Sequence, residues 1–481
     1  MKLKRASAQG SASEPSERAQ RVAEHLSAAV RIPTVAPDGP REMTEDESAT
    51  FAALHALLRE TYPAVFAACE LDHVGRAGLL MRLPGETAER PLMLMAHQDV
   101  VPVPQDWQAE GWEHPPFDGV IADGRVHGRG TLDDKGALVV MLEALEELLA
   151  GGWSPARDVW LLMGGDEEQH GASAVAAVDL LRERGVEPWM VLDEGGAVAS
   201  EAFPGLKQPM AVVGASEKGI ATLSLTVEGL GGHASTPPRQ SAPGILARAL
   251  AAVEDNPFPV SLHDVSVEMF EGVAPQLRGP MRAVLGRAGR LRGPLARVLP
   301  RLGPEMAAMV RTTAAITMLE GSPAQNVLAT RATATLNCRI AVGSTVVATI
   351  AHLEQAIGDE RVQVDVVESS EPSPVSPTGL DPRWLAIGDA VEASYPGTVT
   401  VPYVMMAASD ARHVAAIAPA VYRFSPLAMD KKQREAIHGP NEYVEIASLE
   451  RGVDFYRALL TGSALGPAGL ATDCSRRRAV P

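Results

Sequence analysis

The chain has 481 residues, with 60 acidic against 43 basic side chains and a net charge of -17. That length exceeds what one hydrophobic core serves, so at least two domains are expected, and the charge disfavours nucleic acid or an anionic membrane surface as partner. Hydrophobic residues at 46% exclude disorder, no apolar run reaches the roughly 18 residues of a membrane span, and three widely separated cysteines (Cys69, Cys338 and Cys474) exclude a thiolate zinc site.

The N-terminal segment MKLKRASAQG carries basic residues with no apolar run behind them, so no secretory signal is read and a cytoplasmic location is expected. The first ~12 residues and the tail from about Gly462, with its SRRR, read as frayed ends. A helix capped by Ser13 or Ser16 runs through RAQRVAEHLSAAV, and helix and strand signals then alternate to about residue 216, the pattern of an α/β fold. PLMLMAHQDVVPV, DVWLLMGGDEEQHG and WMVLDEGG each read as a buried strand that breaks into carboxylates or histidine. Open α/β sheets build their sites just beyond the carboxyl ends of their strands, so one sheet edge is expected to collect all three.

From Glu217 the pattern changes. GIATLSLTVEG alternates every second residue, as a half-exposed antiparallel strand does. A helix at APGILARALAAVE, strands at AAITMLEG and RATATLNCRI, a helix at STVVATIAHLEQAIG and a strand at VQVDVVE complete a β-α-β-β-α-β order, the split βαβ or ferredoxin-like arrangement. Inside it, 256–313 is an extra segment rich in Arg, Pro and Gly. It reads either as a helical or loose insertion with a solvated basic face or as a binding element for acidic substrate groups. The proline-rich EPSPVSPTG then returns the chain to an α/β pattern. The division expected is 1–216 with 370–481 as one discontinuous domain and 217–369 as a second, inserted one.

In HQD, Asp99 shares a strand face with His97 and can hydrogen-bond its second ring nitrogen, fixing the tautomer for metal binding. Asp133 and Asp134 in GRGTLDDKGA precede an apolar helix. They read either as capping residues or as carboxylates able to give an oxygen to each of two metals. Asp166, Glu167 and Glu168 crowd one strand end and repel one another unless a cation holds them; a solvated acidic turn is the alternative. One glutamate there can bind metal while its neighbour faces substrate as a base. Asp193-Glu194 adds a carboxylate by the same logic, and the two could exchange roles.

Taken together, MLMAHQDVVPV, GRGTLDDKGA, GGDEEQHGA, VLDEGG, GGHAST and HGPNE resemble the M20 family of metallopeptidases, over about residues 20 to 460, in order and spacing. The likeness is greatest to its branch of carboxypeptidase S and N-acyl amino acid hydrolases. It implies a zinc-peptidase-type catalytic domain with a mixed sheet flanked by helices, and makes the inserted α+β unit a lid and dimerisation domain. The resemblance further implies two metals bridged by Asp133, one also held by His97 and Asp193, the other by Glu168 and His438. Asp99 would orient His97, Glu167 would be the general base, and the bond from Asp133 to Asp134 would be cis. His233 would polarise the scissile carbonyl in the partner subunit of a homodimer. Asn326, Arg339 and Arg412 would bind substrate, Arg339 being suited to a carboxylate.

Oxygen and nitrogen ligands suit two zinc ions, with cobalt or manganese able to substitute. The expected activity is hydrolysis of a peptide or N-acyl amino acid next to a free carboxylate. A dipeptidase, another amidohydrolase of this kind or an inactive binding module is the alternative. Dinuclear phosphoesterases use similar ligands in a different motif order.

Overall fold

The computed structural model describes residues 15–37, 39, 41–203, 206 and 208–462; the expectations for the first 12 residues, Ser13, Cys474 and the tail beyond Gly462 lie outside them. Ser16 is the cap of the first helix, Glu17–Val30, its side chain accepting from the Ala19 amide. Ala19, Val22, Ala23, Leu26 and Val30 recur at helical spacing and form its buried face.

A ten-stranded mixed sheet forms the larger layer. Its centre is four parallel strands in the order Val159–Gly164, Leu92–His97, Met190–Asp193 and Val421–Arg423. Gly78–Leu83 and Glu70–Val74 extend it antiparallel on one side. On the other side lie Met210–Glu217 and the strands paired with it. Val159–Gly164 and Leu92–His97 are buried along their whole length, as strands covered on both faces must be. Their side chains alternate between two cores. Leu92, Leu94 and Ala96 join the cluster under the helices Glu17–Val30, Lys135–Ala150 and Ile446–Thr461, while Met93 and Met95 join the one under Ala172–Glu183. Because the central strands are parallel, His97, Gly164, Asp193 and Arg423 end on one edge.

The second sheet has four antiparallel strands in the order Thr313–Glu320, Arg331–Ile340, Gly219–Glu228 and Gln363–Ser370. Helices Ala242–Asp255 and Val346–Ile357 pack on it, burying Ala221, Leu223, Leu225 and Val227 from alternate positions of the central strand. This is the ferredoxin-like βαββαβ order. Only Lys218 separates the last residue of Met210–Glu217 in the large sheet from Gly219–Glu228 in the small one. The returning segment is tied back at the same place, its Ser373 and Ser376 amides donating to the carbonyls of Glu217 and Ala215.

The 256–313 segment is helical rather than loose, with Asp264–Val273 its longest helix. Its apolar residues Val267, Phe270, Val273 and Leu285 do not join the small sheet. They cluster with Phe203, Met210 and Val401, and so cover the far side of the large sheet. Arg278, Arg282, Arg287 and Arg297 remain exposed on its outer face. Among the described residues no helix is long and apolar enough to cross a membrane.

Candidate metal centre

The parallel edge gathers the residues that the motifs singled out. His97, the last residue of its strand, is 2% exposed. One ligand atom each from His97, Asp133 and Glu168 lies within 4.8 Å of the others. Asp133 stands between the two histidines, with Oδ1 2.8 Å from His97 Nε2 and Oδ2 3.0 Å from His438 Nε2. His438 Nε2 is also 3.1 Å from Glu168 Oε1. Each oxygen of one carboxylate thus faces a different imidazole, an arrangement able to bridge two cations.

Asp99 sits behind this cluster. Its carbonyl oxygen is 3.0 Å from His97 Nδ1 and its Oδ1 is 3.4 Å away, so the backbone makes the closer contact. Its carboxylate instead accepts the amides of Glu167 at 3.1 Å and Glu168 at 3.0 Å. A single buried residue therefore positions both the first histidine, through its carbonyl, and the turn that carries the two glutamates, through its carboxylate. Asp134 is no helix cap, since its side chain makes no capping bond. It accepts the His97 amide at 3.2 Å and follows a cis peptide bond from Asp133.

The HGPNE segment reaches the site from the other end of the chain. His438 and Asn441 both adopt a left-handed backbone, φ 61°, uncommon for residues with a side chain and worth its strain at a functional turn. Asn441 anchors the segment by accepting the Glu113 amide and donating to the Gly111 carbonyl. Glu442, fully buried, accepts the amides of Leu132 at 2.8 Å and Asp133 at 3.3 Å through one oxygen and pairs with Arg129 at 2.6 Å through the other. Local spacing gives Glu442 no role. Its only sequence signal is membership of the same five-residue motif as His438.

Asp193 is buried at the end of its strand and its Oδ2 takes the Ala411 amide at 2.8 Å; Glu194 beside it is half-buried. Asp410 was missed as a structural residue. Both its carboxylate oxygens are buried without a partner among the described residues, facing Gly164 and Gly171. Gly171 turns at φ 70°, and a methyl group there would collide with Asp410 Oδ1, so both backbone and space require glycine.

The electrostatics are those of an uncompensated anionic well. Burial pushes the carboxyls of Asp134, Glu167, Asp193, Glu194 and Asp410 up from their ordinary range. For Glu167 the neighbouring Asp410, Glu168 and Asp133 charges add to that rise. Hydrogen bonds to Asp133 and Glu168 lift the His438 imidazole to about 10, and bonds to Asp133 and Asp99 outweigh burial at His97 to hold it well above normal. Asp133, paired with both histidines, is pulled down despite burial. So many converging carboxylates with only two imidazoles fit divalent cations, and the oxygen and nitrogen donors fit zinc, cobalt or manganese.

Two guanidinium groups flank the well. Burial and the neighbouring Arg412 charge lower the Arg339 pKa, and neither arginine has a carboxylate ion-pair partner among the described residues. Arg412 follows Asp410 in the loop that holds Asp193. His233 and Asn326 stand elsewhere. They are exposed at the tip of the small sheet, where His233 pairs with Val327 and the Ala234 amide donates to the Asn326 carbonyl. Ser235, close to His233 Nδ1 at 2.7 Å, is the nearest side-chain partner of that ring, and among the described residues no hydrogen bond joins the tip to the carboxylates.

The chain is similar to known proteins along most of its length. The profile of Peptidase family M20/M25/M40 matches residues 93–462. The N-fatty-acyl-amino acid synthase/hydrolase PM20D1 of Xenopus tropicalis is 36% identical over 454 residues, covering 93% of this chain and 86% of that protein. A probable carboxypeptidase S-like 2 of Dictyostelium discoideum is 31% identical over 91% of this chain and 84% of its own length. Among solved structures, an M20 family metallo-carboxypeptidase from Sulfolobus solfataricus superposes with a TM-score of 0.66 at 17% identity, covering 93% of this chain and 99% of that one. At that identity the likeness is one of fold.

Proposed function

Since the chain belongs to peptidase family M20/M25/M40 and is a hydrolase of amide or peptide bonds, we propose that its substrate is an N-acyl amino acid with a free α-carboxylate. The observation that carries this reading is the pairing of the anionic well with Arg339 and Arg412, two guanidinium groups without a carboxylate ion pair among the described residues. A substrate carboxylate would complete them, leaving the amide over the well. The names of the Xenopus and Dictyostelium relatives supply the choice between an acyl group and a peptide on the other side of that amide.

In this reading His97 and Asp193 would hold one divalent ion and Glu168 and His438 the other, with Asp133 shared between them and zinc the expected metal. Such ions, when bound, lower the pKa of water and polarise the amide carbonyl. The chain's own residues do the rest. Glu167, on a turn fixed by Asp99, takes a proton from the attacking water and returns it to the departing amine nitrogen, a task for which burial has raised its basicity. His233 of a second subunit donates to the oxygen of the carbonyl as negative charge develops there. Arg339, Arg412 and Asn326 hold the carboxylate and set the amide in line.

The role of His233 requires a homodimer, with 217–369 as the lid and dimerisation unit and the discontinuous remainder as the catalytic one. Supporting this, Thr313–Glu320 is an edge strand of the small sheet with Met318 57% and Leu319 65% exposed.

The test uses zinc-loaded protein, with released amine read for an N-acyl amino acid, its carboxamide counterpart and a dipeptide. The expected result is cleavage of the N-acyl amino acid and a loss of at least about 100-fold for the carboxamide, which leaves half-buried cations unpaired. Equal rates for carboxylate and carboxamide would overturn the reading. Preferred cleavage of the dipeptide would make the enzyme a peptidase using the same arginines.

A further inference from the structure

Where the two domains join lies a buried charged pair that the metal centre does not use. Arg423, fully buried at the end of Val421–Arg423, places Nε 2.9 Å from Oε2 of Glu217, itself 1% exposed. Its other guanidinium nitrogens donate to the Val421 carbonyl and the Ser373 hydroxyl, each at 3.0 Å. Gly214, opposite Arg423 on the adjoining strand, leaves room for this, since a methyl group there would press on Arg423 Cβ at 3.0 Å and Cδ at 3.2 Å. Both chain crossings between the domains are thereby held. Glu217 is the last residue before Lys218 and the small sheet, and Ser373 lies on the returning segment, where its amide donates to the Glu217 carbonyl.

The same pair reaches the site through Ser409. That hydroxyl, wholly buried, lies 3.4 Å from Glu217 Oε2, and its oxygen shares the Ala411 amide with Asp193 Oδ2, at 3.3 and 2.8 Å respectively. Burial raises the Asp193 carboxyl, and the Glu194 amide, the Ser409 hydroxyl and the Ala411 amide oppose that rise. A hydroxyl carries one hydrogen, so Ser409 can donate to Glu217 or to Asp193 but not to both. Arg423 decides that competition, because a carboxylate already paired with a guanidinium leaves the hydrogen free for Asp193. The Ser409 carbonyl meanwhile accepts the Arg412 amide at 3.2 Å, and Arg339 pairs with Ile220 just past the crossing. Buried ion pairs can often be replaced by apolar side chains without loss of stability, so folding alone gives little reason for this one.

We propose that Arg423 and Glu217 are positioning residues for the hydrolysis: they lock the domain crossing to the 409–412 loop, and so hold the ligand carboxylate Asp193 and the substrate cations Arg412 and Arg339 in one arrangement. The proposal rests on the reading above, in which Asp193 binds metal and the arginines bind a substrate carboxylate. Neither positioning residue is assigned a contact with substrate or metal. Both act through Ser409 and through the backbone at the crossing.

The experiment has two readouts. Zinc affinity is measured by chelator competition, and kcat and KM are measured at saturating zinc for an N-acyl amino acid and its carboxamide counterpart. Glu217→Met combined with Arg423→Met removes both charges at similar length, and Ser409→Ala removes only the hydroxyl. In both variants one of the two zinc ions should bind about 10- to 100-fold more weakly while the other is unchanged. In the double variant KM for the carboxylate substrate should also rise, by about tenfold or more, with the carboxamide KM unmoved and kcat recovered by excess zinc. Arg423→Lys, which keeps a cation beside Glu217, should recover the greater part of the zinc affinity. As a control, Arg82→Met with Asp158→Met removes a 2.8 Å ion pair at the far end of the central strands and should leave both readouts unchanged. Zinc affinity and KM both unmoved in the folded double variant would overturn the proposal, as would an equal loss in the Arg82 and Asp158 control, which would make the effect a general loosening. If the double variant fails to fold, undiminished affinity for both ions in Ser409→Ala overturns it. A parent protein that binds two zinc ions but treats carboxylate and carboxamide alike would overturn the substrate reading, while zinc affinity still decides whether the pair positions Asp193.

Discussion

The edge of the large sheet and the tip of the small one carry their functional side chains in opposite ways. At the edge, the backbone of His97, Asp133, Glu167 and Glu168 is held by buried neighbouring carboxylates. Asp99 fixes the Glu167 and Glu168 amides, Asp134 the His97 amide, and Glu442 the Leu132 and Asp133 amides. At the tip, His233 and Asn326 are exposed and supported by a two-residue strand pairing and a local Ser235 contact. The first arrangement is what a site needs when charges must converge against their mutual repulsion, because only overdetermined backbone can hold them there. The second suits groups completed by another molecule, whether substrate or subunit.

Removing Asp133 tests the first half of that contrast with the largest expected effect. Asp133→Ala takes away the one carboxylate facing both histidines, so the protein should lose both metals and all measurable turnover, as read by metal analysis and amine release. Next comes Glu167→Gln, which leaves every ligand in place. Bound metal should be unchanged while kcat falls about 10²- to 10⁴-fold, the range of a lost general base. Retained activity in a metal-replete Glu167→Gln protein would remove that role.

The tip should respond differently. His233→Ala is expected to lower kcat about 10²- to 10³-fold with metal content intact, as loss of an oxyanion donor does. If light scattering finds a monomer and the variant is still impaired, the action across subunits is wrong and the histidine must reach its own site by a lid movement. Glu442→Gln should be milder, costing about 10- to 100-fold in metal affinity, because it disturbs the backbone under Asp133 without removing a ligand. A fall in metal affinity from Glu442→Gln and none from His233→Ala would sharpen the contrast; the reverse pattern would break it.

What could be read beforehand follows the same line. The strands ending at His97, Gly164 and Asp193 were legible because buried parallel strands are unbroken apolar runs and their polar ends stand out. The βαββαβ order was legible because a half-exposed sheet prints its period of two, as Gly219–Glu228 does. The supports were not. Asp134 resembles a helix cap until the fold turns it toward the His97 amide, and Glu442 meets Asp133 across more than 300 residues. Asp410 depends on two glycines leaving it room. Such contacts exist only in three dimensions, and no local pattern marks them. The insertion was ambiguous for a further reason, since its exposed arginines dominate its composition while its scattered apolar residues, Val267, Phe270, Val273 and Leu285 among them, do the packing.

Lys218 joins the two regions and offers the smallest and most particular test. It is the one residue between the sheets, 3% exposed, with Nζ donating to the Arg311 carbonyl at 2.8 Å. Burial, with Arg339 and Arg311 nearby, lowers its ammonium from 10.5 to about 8. Between those values the unfolded chain holds the proton and the native one has released it, so stability should rise as pH increases from about 8 to about 10.5. Allowing for relaxation around the site, the gain should be on the order of 1 to 2 kcal/mol. Urea midpoints across that range should show the rise in the parent protein and lose it in Lys218→Met, which has the length but not the charge. A rise that survives in Lys218→Met would mean that the charge strained by the fold lies elsewhere, and that the junction is as relaxed as the tip beyond it.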